Sequence, residues 1–110
     1  MIKIPTQKTL DKYGLSEEEW LEILHRQGDV CAICGIQPST GRFYTDHEHV
    51  KGWKHMPPEE RKKYVRGLLC YIDNNKILTR GVNIERLRKA ANYLEAYDTK
   101  KLVQDQKLDT

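Results

Sequence analysis

The 110 residues leave room for one small domain, or for a compact centre with helical arms. With 38% hydrophobic and 32% charged residues the chain is lean in core material, a shortfall that a structural metal would offset. A net charge of +3 and a pI near 8.7 are only mildly basic, so global charge alone does not indicate nucleic acid.

No apolar run approaches the length that spans a bilayer, and the N-terminal MIKIPTQKTL lacks a signal-peptide core. A cytoplasmic protein without membrane partners is expected, and thiols stay reduced there. Three cysteines, an odd number, also argue against a closed disulfide framework. Metal binding is then the natural use of Cys31 and Cys34.

Residues 1–14 read as an irregular lead-in, with Pro5 early and Gly14 closing it. Ser16 and Glu19 form a capping box, and Trp20, Ile23, Leu24 and Gln27 follow at helical spacing, predicting a helix over about 16–27 with a core-facing stripe. His25 on it reads as a surface or capping residue. Gly28 and Asp29 end the helix and lead into Cys31-Ala-Ile-Cys34-Gly35, which has the spacing of a zinc knuckle. Two intervening residues let one tight turn aim both sulfurs at a tetrahedral centre. The redox reading of the same motif needs a thioredoxin-like βαβ context, which the chain does not show.

Residues 36–41 are loop-forming, and Arg42-Phe43-Tyr44-Thr45 has strand character. Lys51-Gly52 is a turn signal, and residues 53–64 form an excursion in which Pro57-Pro58-Glu59-Glu60 starts a short helix. Six cations (Lys51, Lys54, Arg61, Lys62, Lys63 and Arg66) stand against Glu59 and Glu60, either a solvated face or a surface for DNA. Residues 65–70 return as a mostly apolar strand, and a helix starts near Asp73-Asn74. A second clear helix covers about 83–97, capped by Asn83, with Ile84, Leu87, Ala91, Leu94 and Tyr97 on or near one face. That face is either core packing or a dimer seam. Residues 99–110 are polar and expected to fray.

The densest chemistry lies in Tyr44–Val50, where Asp46, His47, Glu48 and His49 put two carboxylates and two imidazoles in four consecutive residues. A regular strand sends His47 and His49 to one face and Asp46 and Glu48 to the other. A loop or bulge would instead turn Asp46 and His47 towards one substrate. Such a cluster is costly to bury without partners or a metal, although similar runs also occur on solvated loops.

CAICG, then DHEHVKG, then VRGLLC followed by an Asn, in this order, resembles the recombination endonuclease VII branch of the HNH (ββα-metal) nucleases, common in phages, from about Tyr13 to Tyr97. The resemblance implies an α+β fold: one domain over 1–110, with a small zinc-stabilised ββα-metal core (about 28–80) and flanking helices. It implies a DNA endonuclease in which His47 is the general base, Asp46 and Asn74 hold Mg²⁺ or Mn²⁺, and His49 supports the site or contacts phosphate. Arg66, Lys51, Lys54 and Arg42 would meet DNA, and relatives dimerise through helices. The residue types suit that chemistry on their own account. Histidine titrates near neutrality, and carboxylate and amide oxygens suit a hard cation.

Two positions depart from the pattern. The family's second zinc pair is a CxxC, whereas this chain has Cys70 and then Asp73, a carboxylate able to complete a Zn²⁺ site with Cys31, Cys34 and Cys70. His55 on the excursion is the other candidate for fourth ligand. Ile77 stands where a close relative carries a further acidic metal ligand. Asn75 competes with Asn74 for the ligand role, and Asn74 and Asp73 are both also able to cap the helix. These departures keep a second expectation in view: a non-catalytic, zinc-stabilised nucleic-acid-binding module. A zinc adaptor for proteins leaves the DHEH run unexplained.

Overall fold

The computed structural model describes residues 1–108, with side-chain surroundings as far as Val103. The fold is α+β. In chain order it comprises α1 (Gln7–Tyr13), α2 (Glu17–Arg26), β1 (Tyr44–His47), α3 (Pro58–Arg61), β2 (Val65–Leu69) and α4 (Ile84–Leu108). Single tight turns flank α3 at Trp53–His55 and Lys62–Tyr64, and a widened helical turn covers Asp73–Ile77. The chain divides between Leu78 and Thr79 into two units.

In the first unit the lead-in is not irregular, as its sequence suggested, but holds α1. Thr6 caps it by accepting from the Thr9 amide, and Gly14 closes it in the left-handed conformation. Seven residues are too few to be helical on propensity alone. Burial of Leu10 supplies the rest: it joins Leu15, Trp20, Leu24, Phe43 and Leu68 in the core cluster. The capping box of α2 forms as expected, with the Ser16 amide donating to Glu19 (2.9 Å) and the Glu19 amide to the Ser16 hydroxyl (3.1 Å). Trp20 and Leu24 are fully buried, and Ile23 packs at the edge. The Trp20 indole N–H donates to Thr45 Oγ1 on β1, so the one polar atom of this large core residue is satisfied.

β1 and β2 form an antiparallel pair: Tyr44 faces Leu69, Thr45 faces Leu68, Asp46 faces Gly67, and His47 faces Val65. The register slips between Asp46 and His47, which leaves Arg66 as the extra residue of a bulge on β2. Gln27, just past α2, acts as a short third strand. Its side-chain amide donates to the Leu68 carbonyl and accepts from the Leu68 amide, both at 2.9 Å. After β2 the Asn74 amide donates to the Cys70 carbonyl, and the Leu78 amide reaches back five residues to Asp73.

The second unit is dominated by α4. Asn83 caps it, its side-chain oxygen accepting from the Arg86 amide at 2.8 Å. The helix runs past the expected end at Tyr97, because residues 98–108 contain neither Gly nor Pro and are rich in Lys, Leu and Gln. Tyr93, Leu94, Tyr97 and Leu102 on it are exposed. Among the described residues, no helix is long and apolar enough to cross a membrane.

Gly14 sits at φ +70°, and a Cβ there would lie 2.0 Å from the Pro58 carbonyl oxygen. Gly28, at φ +75°, has nothing within 4 Å of the place a Cβ would take. Gly28→Ala should therefore cost about 1 kcal/mol of unfolding free energy from backbone strain alone, and Gly14→Ala roughly twice that or more. Parallel urea melts of the two variants check the difference.

Candidate active site and metal centre

The knuckle is shaped by its own backbone. The Cys31 amide donates to Ile36, the Gly35 amide donates to Cys31, and Gly35 adopts φ +71°. Cys70 stands at the end of β2 and Asp73 one helical turn later. These two segments bring one ligand atom each from Cys31, Cys34, Cys70 and Asp73 within 4.8 Å of one another. Asp73 Oδ2 is 3.2 Å from both Cys31 Sγ and Cys70 Sγ, and Cys34 Sγ is 3.9 Å from Cys70 Sγ. A tetrahedral site with metal–sulfur bonds of about 2.3 Å has edges of about 3.8 Å, so the spacing fits a metal ion of zinc's size. His55 is not part of this cluster; it ends the tight turn Trp53–His55.

The electrostatics of the cluster point the same way. Burial, together with the neighbouring carboxylate and thiols, pushes the Cys70 thiol up to about 11. Burial also opposes ionisation of Asp73, but hydrogen bonds from the Cys31, Cys70 and Cys34 thiols outweigh it and hold the carboxyl below its usual range. A carboxylate ringed by three thiols, with those of Cys34 and Cys70 held above their usual range, is the charge arrangement that a divalent cation relieves.

The DHEH run occupies the bulged end of the hairpin. Asp46 is buried, and both of its oxygens accept from Arg66: Nε to Oδ2 at 2.8 Å and Nη2 to Oδ1 at 3.1 Å. The bulge brings this about, because a residue with no partner across the ladder is free to lay its side chain back over the strand. His47 stacks on Trp53, with ring centroids 4.2 Å apart at 24°. It also meets His49 at 4.8 Å and Tyr13 at 5.5 Å. Burial, then the nearby His49, lowers the His47 pKa below 6.5; Lys12 and Arg66 add to that, and Asp46 opposes it. The neutral imidazole is therefore favoured at pH 7. Burial and the Asp46 charge raise the Tyr13 phenol in turn.

Asn74 is half-buried and lines a cavity of about 440 Å³ with Tyr13, Tyr44, Thr45 and Arg42. Asn75 is exposed and spends its amide on the Tyr71 carbonyl at 3.2 Å. Asp73 makes no helix cap, its carboxylate being turned to the thiols. Ile77 is exposed. Glu48 and His49 are exposed beyond the strand, and the Glu48 amide donates to the Tyr64 carbonyl.

Half of the six cations of the basic excursion, Lys62, Lys63 and Arg66, are paired with carboxylates. Lys62 pairs with Glu19 and Lys63 with Glu60, while Arg61 lies over the Trp53 ring at 5.4 Å. Lys51 and Lys54 are exposed and form no ion pair among the described residues. Arg42 is exposed with its guanidinium over Tyr44 at 5.6 Å. Tyr13, Trp53 and Lys12, which shape the surroundings of His47, had no local sequence signal; they come from α1 and the excursion, 6 to 35 positions away.

The recombination endonuclease VII family model matches residues 6–96, so its reach includes α1. The "Gene 59 protein" of Mycobacterium phage D29 is 36% identical over 91 residues, covering 79% of this chain and 47% of that relative. The chain thus spans about half the length of the curated relative it matches. No solved structure matches it. The matched span carries the cysteine knuckle, the DHEH strand and the RGLLC strand in one piece, and the chain belongs to the recombination endonuclease VII family.

Proposed function

We propose that the chain is an HNH-type DNA endonuclease that needs a divalent metal ion and carries a structural zinc at Cys31, Cys34, Cys70 and Asp73. The observation that supports it best is the pairing, at one bulge, of a buried carboxylate with a histidine whose neutral form is favoured near pH 7. His47 takes a proton from the water that attacks phosphorus. The P–O3′ bond breaks and the departing oxygen takes a proton from solvent water, leaving a 3′-hydroxyl and a 5′-phosphate. Trp53 fixes the plane of the imidazole by stacking, and His49 stands at its open side, where it supports the site or meets phosphate.

Asp46 and Asn74 would hold Mg²⁺ or Mn²⁺, which neutralises charge on the phosphate and the leaving oxygen. The oxygen donors suit such an ion. Both Asp46 oxygens now accept from Arg66, but each keeps a second lone pair for a metal. Where the ion displaces one of the two hydrogen bonds, Arg66 is freed towards a phosphate oxygen. Few protein ligands remain, since Ile77 supplies none, and this leaves coordination positions for water and substrate.

Asp73 and Ile77 also favour a second reading, a zinc-stabilised nucleic-acid-binding module without catalysis. Its weakness is Asp46 and His47, a buried carboxylate beside a near-neutral base, which a pure binder does not need. The exposed Tyr93, Leu94 and Tyr97 of α4 suit pairing with a second copy. If the chain is phage-encoded, it acts in the host cytoplasm.

Supercoiled plasmid with Mg²⁺ or Mn²⁺ separates the two readings. The wild type should nick it and leave 5′-phosphate ends, while His47→Ala loses at least about a hundredfold in rate yet still binds DNA and stays folded. Binding without cutting under either ion would leave the binding module. For α4, sedimentation at micromolar concentration should give a dimer; a monomer would sink the seam.

A further inference from the structure

The cavity that reaches Asn74 differs in charge from two other hollows on the surface. Its walls include Lys3, Lys12 and Arg42 and no carboxylate. The hollow beside α2 mixes Glu19 and Glu22 with Arg26, Lys62 and Arg66, and that on the outer side of α2 mixes Glu18 and Glu22 with Arg26. Lys3, Lys12 and Arg42 are exposed and pair with no carboxylate among the described residues, Lys12 and Arg42 lying only against the Tyr13 and Tyr44 rings. By contrast, three of the six cations between Lys51 and Arg66 are held by carboxylates. These three cations, Lys3, Lys12 and Arg42, are also placed by backbone rather than left on loose loops. The Lys3 amide donates to the Gly41 carbonyl at 2.8 Å, Lys3 and Arg42 form a parallel bridge, and Lys12 is in the last turn of α1.

Two walls of the cavity belong to the active site as well. Tyr13 lines it and meets the His47 ring at 5.5 Å, and Asn74 lines it from the helical turn after β2. A strand of phosphates entering the groove meets no carboxylate among its lining residues and reaches Tyr13, which the groove shares with the His47 ring. Thr6, Thr9 and Tyr44 add hydroxyls along it, groups that position a phosphate backbone without reading its sequence.

From this we infer that the groove between the N-terminal segment and β1, lined by Lys3, Lys12 and Arg42, is the seat of the DNA backbone leading to the scissile phosphate. Lys62 and Lys63, paired with carboxylates, are then mainly structural, and Lys51 and Lys54 lie outside the path of the DNA. The choice of DNA as ligand rests on the endonuclease reading; the groove's role in binding is tested without cleavage.

The test is the affinity of the full chain for a fluorescein-labelled 30-base-pair duplex, by anisotropy across a salt series with no Mg²⁺ or Mn²⁺ added. The variants are the triple Lys3→Gln, Lys12→Gln, Arg42→Gln and, as comparison, the double Lys51→Gln, Lys54→Gln. Each phosphate that a variant no longer neutralises lowers the magnitude of the log K against log salt slope by about 0.9. The triple variant should lose about 2.7 from the slope and about two orders of magnitude in affinity at 0.1 M salt, with the double variant close to wild type. All five substituted side chains are exposed, and a thermal melt matching wild type shows that the fold is kept. Should the triple variant match wild type while the double variant carries the loss, the DNA lies on the excursion and the groove proposal is overturned. That result leaves the endonuclease reading intact, because plasmid nicking by the wild type decides it separately.

Discussion

Four side chains from two distant stretches meet at one point, and much of the first unit depends on that meeting. Cys31 and Cys34 arrive on a turn after α2, and Cys70 and Asp73 at the junction of β2 and the next helical turn. The hydrophobic cluster holding the same pieces contains only six buried side chains. A core that small does little to fix where a four-residue strand ends or a helix begins. A cation bound at the cluster would fix both, and Asn74, the residue after Asp73, would be positioned with them.

The hairpin carries a second constraint, of charge rather than packing. One slipped position in the ladder makes Arg66 the bulged residue and lets its guanidinium cover both oxygens of a buried Asp46. Burying that carboxylate unpaired would be prohibitive, so the arginine stabilises the strand that carries His47. If Asp46 holds the divalent ion proposed above, structural and functional demands fall on one ion pair. The His47 imidazole is held separately, between Trp53 and His49, where burial favours its neutral form.

Much of this was legible in the sequence because the signals were local. The Ser16–Glu19 capping box, the Cys31–Cys34 spacing and the apolar run of β2 each act within a few residues, and each appears where expected. The helix α1 was missed because its seven residues bury one side chain, Leu10, and show no repeating stripe. Its signals were the flanking Thr6 and Gly14, which separately are common in loops. The fate of the basic excursion was not legible at all. Whether Lys62 is free depends on Glu19, 43 positions earlier, and whether Arg66 is free depends on a register slip that alternation does not reveal. The site's aromatic surroundings, Tyr13 and Trp53, are long-range for the same reason.

The cysteine–aspartate cluster is expected to bind a metal ion that the fold of the first unit needs. The most direct measurement is metal content of the full chain by mass spectrometry, followed by thermal melts before and after a strong chelator. One zinc per chain is expected, with a cooperative transition that falls by many degrees on chelation and a weaker hold on zinc in Asp73→Ala than in wild type. A chain that carries no metal and melts identically with and without chelator would contradict it, and would leave the thiol–carboxylate hydrogen bonds as the whole of the cluster's contribution.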